Sequence, residues 1–312
     1  MLERIQQAIT QLEKVIIGQR TVVEKLFIAM LADGHVLLES VPGSGKTKLA
    51  KSLSKVIEGQ FGRIQFTPDV LPSDVTGIKY FNPKTQNFEM QTGPIMTNIL
   101  LADEINRATP KTQSSLLEAM GEGQATVDGT TLALPQPFFV IATQNPLEGS
   151  QGTFPLPEAQ LDRFLFKIEM TYPSLQEEKQ ILYANMDHDP MKVLTPALML
   201  EDIKTIKDYI KKITVTEIVA DYILRLVRAT RNHPEIEVGI STRGALALMR
   251  ASQANAWLRG RNYVQPEDVK NLVPAVFSHR IVLQMEASFK KTSNQIVEDI
   301  IASEDVPVEI EA

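Results

Sequence analysis

The sequence predicts an α/β unit built on a parallel five-stranded sheet flanked by helices, followed by an all-helical domain. Three observations carry this. Short apolar runs alternate with helical stretches from about residue 35 to residue 170. A glycine-rich loop, Pro42-Gly43-Ser44-Gly45, lies between one such run and a helix. After Tyr172-Pro173-Ser174 the alternation stops and helical periodicity takes over.

Strands are expected at 35–39, 63–66, 98–102, 138–143 and 166–170. Several are near-continuous in apolar residues, the pattern of strands covered on both faces. Helical stretches such as 46–58 and 110–120 separate them. That alternation implies a parallel sheet between helical layers. Thr109 is the expected N-cap of the second helix, with Pro110 in its first turn. Two segments break the pattern. Residues 77–93 read as a hairpin around Asn82-Pro83-Lys84-Thr85-Gln86. Residues 124–134 carry Asp128-Gly129 between β-formers, a strong hairpin signal. Both read as insertions projecting from the α/β unit. Further on, 217–231 places Ile218, Tyr222, Ile223 and Leu226 at helical spacing. Ser241 is the expected cap of a helix to about 259, and Pro266 opens another over 266–277. The expected organisation is an α/β core over 1–180 and a helical domain over 190–312.

Composition narrows the chemistry. The 312 residues include no cysteine, which excludes disulfides, thiolate catalysis and Cys-ligated metals. Lys plus Arg total 32 against 38 Asp plus Glu, a net charge of −6, so no nucleic-acid partner is expected. His35, His188, His233 and His279 are scattered without ligand spacing. No apolar run reaches bilayer length. The first 18 residues read as an amphipathic helix without a signal-peptide core, so a cytoplasmic location is expected.

The sharpest signal is Pro42-Gly43-Ser44-Gly45-Lys46-Thr47, after Val36-Leu37-Leu38 and at the start of a helix. Strand, glycine loop and helix in that order form a phosphate-binding loop. The glycines turn backbone N–H groups toward phosphate oxygens, and the helix N-terminus adds positive potential. Lys46 brings a point charge and Thr47 a hydroxyl for Mg²⁺. Ser40 stands where the motif has its first glycine, a departure that matters if that position needs positive φ. Ile99-Leu100-Leu101-Ala102 ends in Asp103 and Glu104. At a strand's C-terminal end Asp103 can hold Mg²⁺, and Glu104 can polarise the attacking water; the plainer reading is a helix-capping pair. Asn145, after Thr143-Gln144, can orient that water, or be a turn residue before Pro146.

Together these strings resemble the MoxR family of AAA+ ATPases, in the helix-2-insert clade that also holds magnesium chelatase motor subunits. The resemblance runs through nearly the whole chain. It rests on Val41-Pro42-Gly43-Ser44-Gly45-Lys46-Thr47, Leu101-Ala102-Asp103-Glu104-Ile105-Asn106-Arg107-Ala108, Ala142-Thr143-Gln144-Asn145-Pro146 and Phe154-Pro155-Leu156-Pro157-Glu158-Ala159-Gln160-Leu161-Asp162-Arg163-Phe164. It implies an AAA+ core with a C-terminal lid. Pro42, Gly43, Ser44, Gly45, Lys46, Thr47 and Lys48 would bind ATP phosphates, with Ile17 and Gly18 near the adenine. Thr47 and Asp103 would serve Mg²⁺, Glu104 hydrolysis and Asn145 as sensor 1. Arg163 matches the arginine finger that reaches a neighbouring subunit's nucleotide, Arg243 matches sensor 2, and Arg107 is a further candidate in trans. Without the resemblance, Arg163 could equally form a surface salt bridge with Asp162 or Glu158, and Arg243 could be an ordinary first-turn residue. The two hairpins match the helix-2 insert and the pre-sensor-1 hairpin.

The expectation is therefore Mg²⁺-dependent ATP hydrolysis in a homo-oligomer, a hexameric ring in the family, that remodels or assembles protein clients. The resemblance implies clients with von Willebrand factor A domains. Hydrolysis would move the lid against the core. The alternatives are a P-loop phosphotransferase and a nucleotide-gated scaffold with little hydrolysis.

Overall fold

The computed structural model describes residues 1–41, 43–145, 152–186 and 189–307. Two helices, α1 (Leu2–Glu13) and α2 (Arg20–Leu31), precede β1 (Val36–Ser40) and α3 (Lys46–Val56). Next come β2 (Phe61–Gln65), α4 (Pro72–Thr76) and the antiparallel ribbon β3 (Gly77–Asn82) with β4 (Asn87–Thr92). Strand β5 (Ile99–Asp103) leads into α5 (Pro110–Glu122) and a second ribbon, β6 (Gln124–Val127) with β7 (Thr130–Ala133). Strand β8 (Phe139–Gln144), α6 (Glu158–Leu161) and β9 (Phe166–Met170) complete the α/β part.

The five sheet strands run parallel in the order β2-β5-β8-β1-β9. Alternate side chains of each inner strand enter opposite cores. Val36, Leu38, Ile99, Leu101, Phe139 and Ile141 pack toward one. Leu37, Leu100, Ala102, Val140 and Ala142 pack toward the other, with α5. Burial on both faces is why these strands read as unbroken apolar runs. The ribbons lie outside the sheet, as expected. Lys79 N donates to Asp128 Oδ2 at 3.0 Å, tying one ribbon to the other.

The C-terminal half holds α7 (Leu175–Ala184), α8 (Leu200–Ile210), α9 (Glu217–Asn232), α10 (Thr242–Leu258), α11 (Pro266–Lys270), α12 (Val273–Phe277), α13 (Met285–Ser288) and α14 (Ser293–Ser303). It is not purely helical: β10 (Ile236–Val238) pairs with β11 (Val282–Leu283) antiparallel. Segments that short carry no readable period. The helix expected over 266–277 is two, because Pro274 has no N–H to continue the ladder. Ile218 points to solvent, and Val219, Tyr222, Ile223 and Leu226 form the buried face of α9. Ser241 caps α10, its hydroxyl accepting from Gly244 N. Thr109 does not cap α5 by its side chain; its hydroxyl pairs instead with that of Thr112. Buried residues of α8, α9 and α10 join those of α1, α2 and α3 in one continuous hydrophobic cluster. The helical part therefore packs on the α1–α2 side of the sheet.

Candidate functional site

The glycine loop leaves the C-terminal end of β1. Gly43 and Gly45 have φ of 82° and 88°, and a Cβ built on either meets nothing within 4 Å. Backbone conformation, not crowding, requires glycine there, and open space remains around the loop. Ser40 keeps strand conformation, so the missing first glycine carries no strain. The hydroxyls of Ser40 and Ser44 are buried without a hydrogen-bond partner among the described residues. Helix α3 starts at Lys46, and its first-turn N–H groups have no intrahelical acceptor. Unused donors, a helix N-terminus and the Lys46 ammonium suit a polyphosphate. Pro42 lies outside the described residues.

Asp103 ends β5 on the neighbouring part of the sheet. Its Oδ1 accepts from Thr143 Oγ1 at 2.7 Å and lies 3.9 Å from Lys46 Nζ. Its Oδ2 accepts from Arg63 Nη2 at 2.8 Å. Thr143 also receives the backbone N–H of Glu104 at 2.9 Å. One hydroxyl thus aligns both acidic residues. Glu104 sits at φ 57°, the left-handed region, which turns its side chain off the strand line. Its Oε2 accepts from Gln65 Nε2 at 2.9 Å and pairs with Arg107 Nε at 3.3 Å. The carboxylates of Asp103 and Glu104 and the hydroxyl of Thr47 are hard oxygen donors that fit Mg²⁺. Asn145 is buried just beyond β8, the strand between β5 and β1 in the sheet, and so lies between the acidic pair and the glycine loop.

Gly18, at φ 79°, and Gln19 line a cleft with Thr171 and Tyr172 beyond the C-terminal end of β9. Gln19 Nε2 donates to the Thr171 carbonyl at 3.2 Å, and Ile17 is half-buried beside them. Lys48 is drawn to α7, donating to Asn185 Oδ1 at 3.3 Å.

The arginines are elsewhere. Arg163 Nη1 donates to the Leu117 carbonyl at 3.0 Å and forms no ion pair among the described residues. The expected alternative, a bridge to Asp162 or Glu158, is absent among them because Asp162 is engaged by Arg280 at 2.7 Å and by Arg243 at 3.5 Å. Arg163 and Arg243 line one cavity with Asp33 and Gly34, at the start of β1. The glycine loop leaves the other end of that strand, roughly 16 Å away for five residues. The structure joins the two arginines to each other and not to their own loop. Arg280 is nearly buried. It donates to the carbonyls of Phe164 and Leu165 as well as to Asp162, fastening the helical part to the turn that carries Arg163. Burial lowers its pKa, and Asp162 offsets part of that.

Sequence reasoning passed over Thr143, Arg63 and Gln65. Thr143 lay within a string already singled out. Arg63 and Gln65 alternate as polar residues on β2, which resembles a solvated edge.

A glycine loop opening a helix beside an acidic strand end, with a helical C-terminal part, is the construction of an AAA ATPase. A family model described as "ATPase family associated with various cellular activities (AAA)" matches residues 35–166, and one for an AAA lid domain matches 228–300. Protein YeaC of Bacillus subtilis, uncharacterized, is 49% identical over 97% of this chain and 95% of its own. Chaperone MoxR1 of Mycobacterium tuberculosis is 40% identical over 94% and 79%. Protein MoxR of Methylorubrum extorquens is 30% identical over 93% and 90%. A crystal structure of a candidate ATPase from Cytophaga hutchinsonii superposes with TM-score 0.90 at 39% identity, covering 98% of this chain and 96% of that one. The chain belongs to the MoxR family of AAA+ ATPases: it binds nucleotide and hydrolyses ATP. Among the described residues no helix is long and apolar enough to cross a membrane.

Proposed function

We propose that this ATPase acts as a homo-oligomeric ring, hexameric as in the family, with Mg²⁺-ATP at each subunit interface, to remodel or assemble protein clients in the cytoplasm. The observation that carries the reading is the far-edge position of Arg163 and Arg243, together at the start of β1 and away from the loop at its end. Guanidinium groups that cannot reach their own triphosphate suit the triphosphate of a neighbour. They would stabilise the charge that develops on the γ-phosphate, an effect worth about 10³- to 10⁵-fold in related reactions.

Each subunit would supply the rest. Lys46 and the loop N–H groups hold phosphates, and Lys48 flanks them. Thr47 and Asp103 would hold Mg²⁺, which when bound neutralises phosphate charge. Glu104 takes a proton from the attacking water and Asn145 orients it. Arg280 links the lid to the finger's turn, so lid motion would reach Arg163. The Mycobacterium relative's name, chaperone, supports protein clients, and the family implies von Willebrand factor A domains among them. The ribbon of β3 and β4 supports a client contact, since Phe81 and Phe88 stack edge to face and are both exposed.

The test is ATPase rate per chain against chain concentration with Mg²⁺ present. A rate that climbs and saturates is expected. A flat rate from a species that sizes as a monomer would overturn the interface reading. In Glu104→Gln, ATP binding should persist while turnover falls by about 10²-fold or more. Unchanged turnover would remove Glu104 from the chemistry.

A further inference from the structure

We propose that Arg63 guards the metal subsite: it neutralises Asp103 until Mg²⁺-ATP arrives and must then give up the carboxylate. This rests on the Mg²⁺-ATP reading above and deepens it.

The two oxygens of Asp103 are not equally available. Asp103 Oδ1 is engaged by the Thr143 hydroxyl at 2.7 Å and faces Lys46 at 3.9 Å. Oδ2 is the oxygen left for a cation or its waters, and Arg63 Nη2 covers it at 2.8 Å. The Asp103 side chain is only 9% exposed, whereas that of Arg63 is 44% exposed. A carboxylate so nearly buried needs a counter-charge at all times. Once phosphates enter, Lys46 is drawn to them. Arg63 or the metal must then serve Asp103. A divalent ion and a guanidinium on the same oxygen repel each other, so one displaces the other. Arg63 sits on β2, an edge strand, with water on its outer side, so its withdrawal is inexpensive.

The same arginine reaches the catalytic glutamate through one neighbour. Arg63 and Gln65 point to the same face of β2, two residues apart, and Gln65 lies opposite Asp103 in the ladder. Arg63 Nη2 donates to Gln65 Oε1 at 2.7 Å. That contact fixes the amide with its nitrogen toward Glu104, where it donates at 2.9 Å. When Arg63 leaves Asp103, the amide loses its anchor and Glu104 is loosened. Arg63 is thus a positioning residue: arrival of the metal is felt at Glu104 without a moving strand.

The test uses the full chain and a fluorescent ATP analogue, titrated with Mg²⁺ at fixed nucleotide. In Arg63→Gln the Mg²⁺ concentration for half-maximal nucleotide binding should fall by roughly 3- to 10-fold, the scale on which one neighbouring charge changes a carboxylate's affinity for a cation. Arg63→Met should behave alike, and Arg63→Lys should stay near the parent. In EDTA, nucleotide binding should weaken in Arg63→Gln and Arg63→Met, because Asp103 then loses both Lys46 and Arg63, and should stay near the parent in Arg63→Lys. Thermal melting of the nucleotide-free protein should be near the parent's, because Lys46 still faces Asp103 at 3.9 Å there. An unchanged or increased Mg²⁺ requirement in both neutral variants would overturn the proposal. It would mean that Arg63 merely holds Asp103 in shape. A parent protein whose nucleotide binding ignores Mg²⁺ would instead sink the Mg²⁺-ATP reading, and the guard with it.

Discussion

His35 has one workable protonation state. The backbone N–H of Val140 donates to its Nδ1 at 3.1 Å, so that nitrogen must be bare. Nε2 then donates to the Met120 carbonyl at 3.2 Å. The ring is neutral, and burial pushes its pKa down to about 4, with the Met120 carbonyl opposing. The unfolded value is about 6.5. A depressed histidine favours the neutral native state, so its contribution is complete above about pH 6.5 and is lost as pH falls toward 4. Between pH 7 and pH 5 the loss is about 2 kcal/mol. Urea unfolding at these two values should show that drop in the parent and a smaller one in His35→Gln, whose amide can serve the same two backbone groups. An equal drop in both would move the effect to His279, which burial and the adjacent Arg280 charge also hold well below the ordinary value. The two histidines are structural. Their isolation in the sequence suggested no metal site, but gave no sign that both lie buried under backbone contacts.

At the scale of elements, legibility followed burial. Strand β5 is buried along its whole length, and its apolar run ending in Asp103 marked both strand and site. The glycine loop was legible because positive φ and a helix start leave a local imprint. Strand β2 was the weakest reading. It is an edge strand with polar Arg63 and Gln65, and their contacts to Asp103 and Glu104 form only when distant segments pair. The arginine cavity was illegible for the same reason: Asp162 pairs with Arg280, 118 residues away, while the sequence offers it only neighbours. Helix α5 makes the point testable. A Cβ on Gly121 would lie 2.5 Å from Arg163 Nη1, so glycine here makes room for the arginine. Gly121→Ala should raise helix stability by about 0.5–1 kcal/mol. It should nevertheless lower turnover several-fold, with ATP binding intact, because Arg163 loses its seat on the Leu117 carbonyl. Full turnover at equal or higher melting temperature would show that this seat is dispensable.

At the scale of the molecule, the two ends of β1 define two half-sites. One carries the phosphate loop and the acidic pair, the other Arg163 and Arg243. On the proposed reading neither half is complete in one chain, and a head-to-tail contact that closes on itself would complete every one. Mixing variants tests that logic. Arg163→Ala leaves the loop intact, and Lys46→Ala leaves the arginine intact. Each alone should be nearly inactive, the first binding ATP normally and the second not. In an equal mixture about a quarter of the interfaces pair a good loop with a good arginine, if subunits exchange freely around the ring. Turnover should therefore recover to roughly that share of the parent rate, and only after subunits have had time to exchange. No recovery, with exchange demonstrated by a labelled chain, would leave the action of Arg163 in trans without support. For Arg163 to serve its own subunit's nucleotide, its turn would have to leave the start of β1 and reach the loop roughly 16 Å away at the other end, breaking the contacts of Asp162, Phe164 and Leu165 with Arg280. Those contacts fasten a nearly buried guanidinium, and the cost of undoing them is the physical reason to expect recovery.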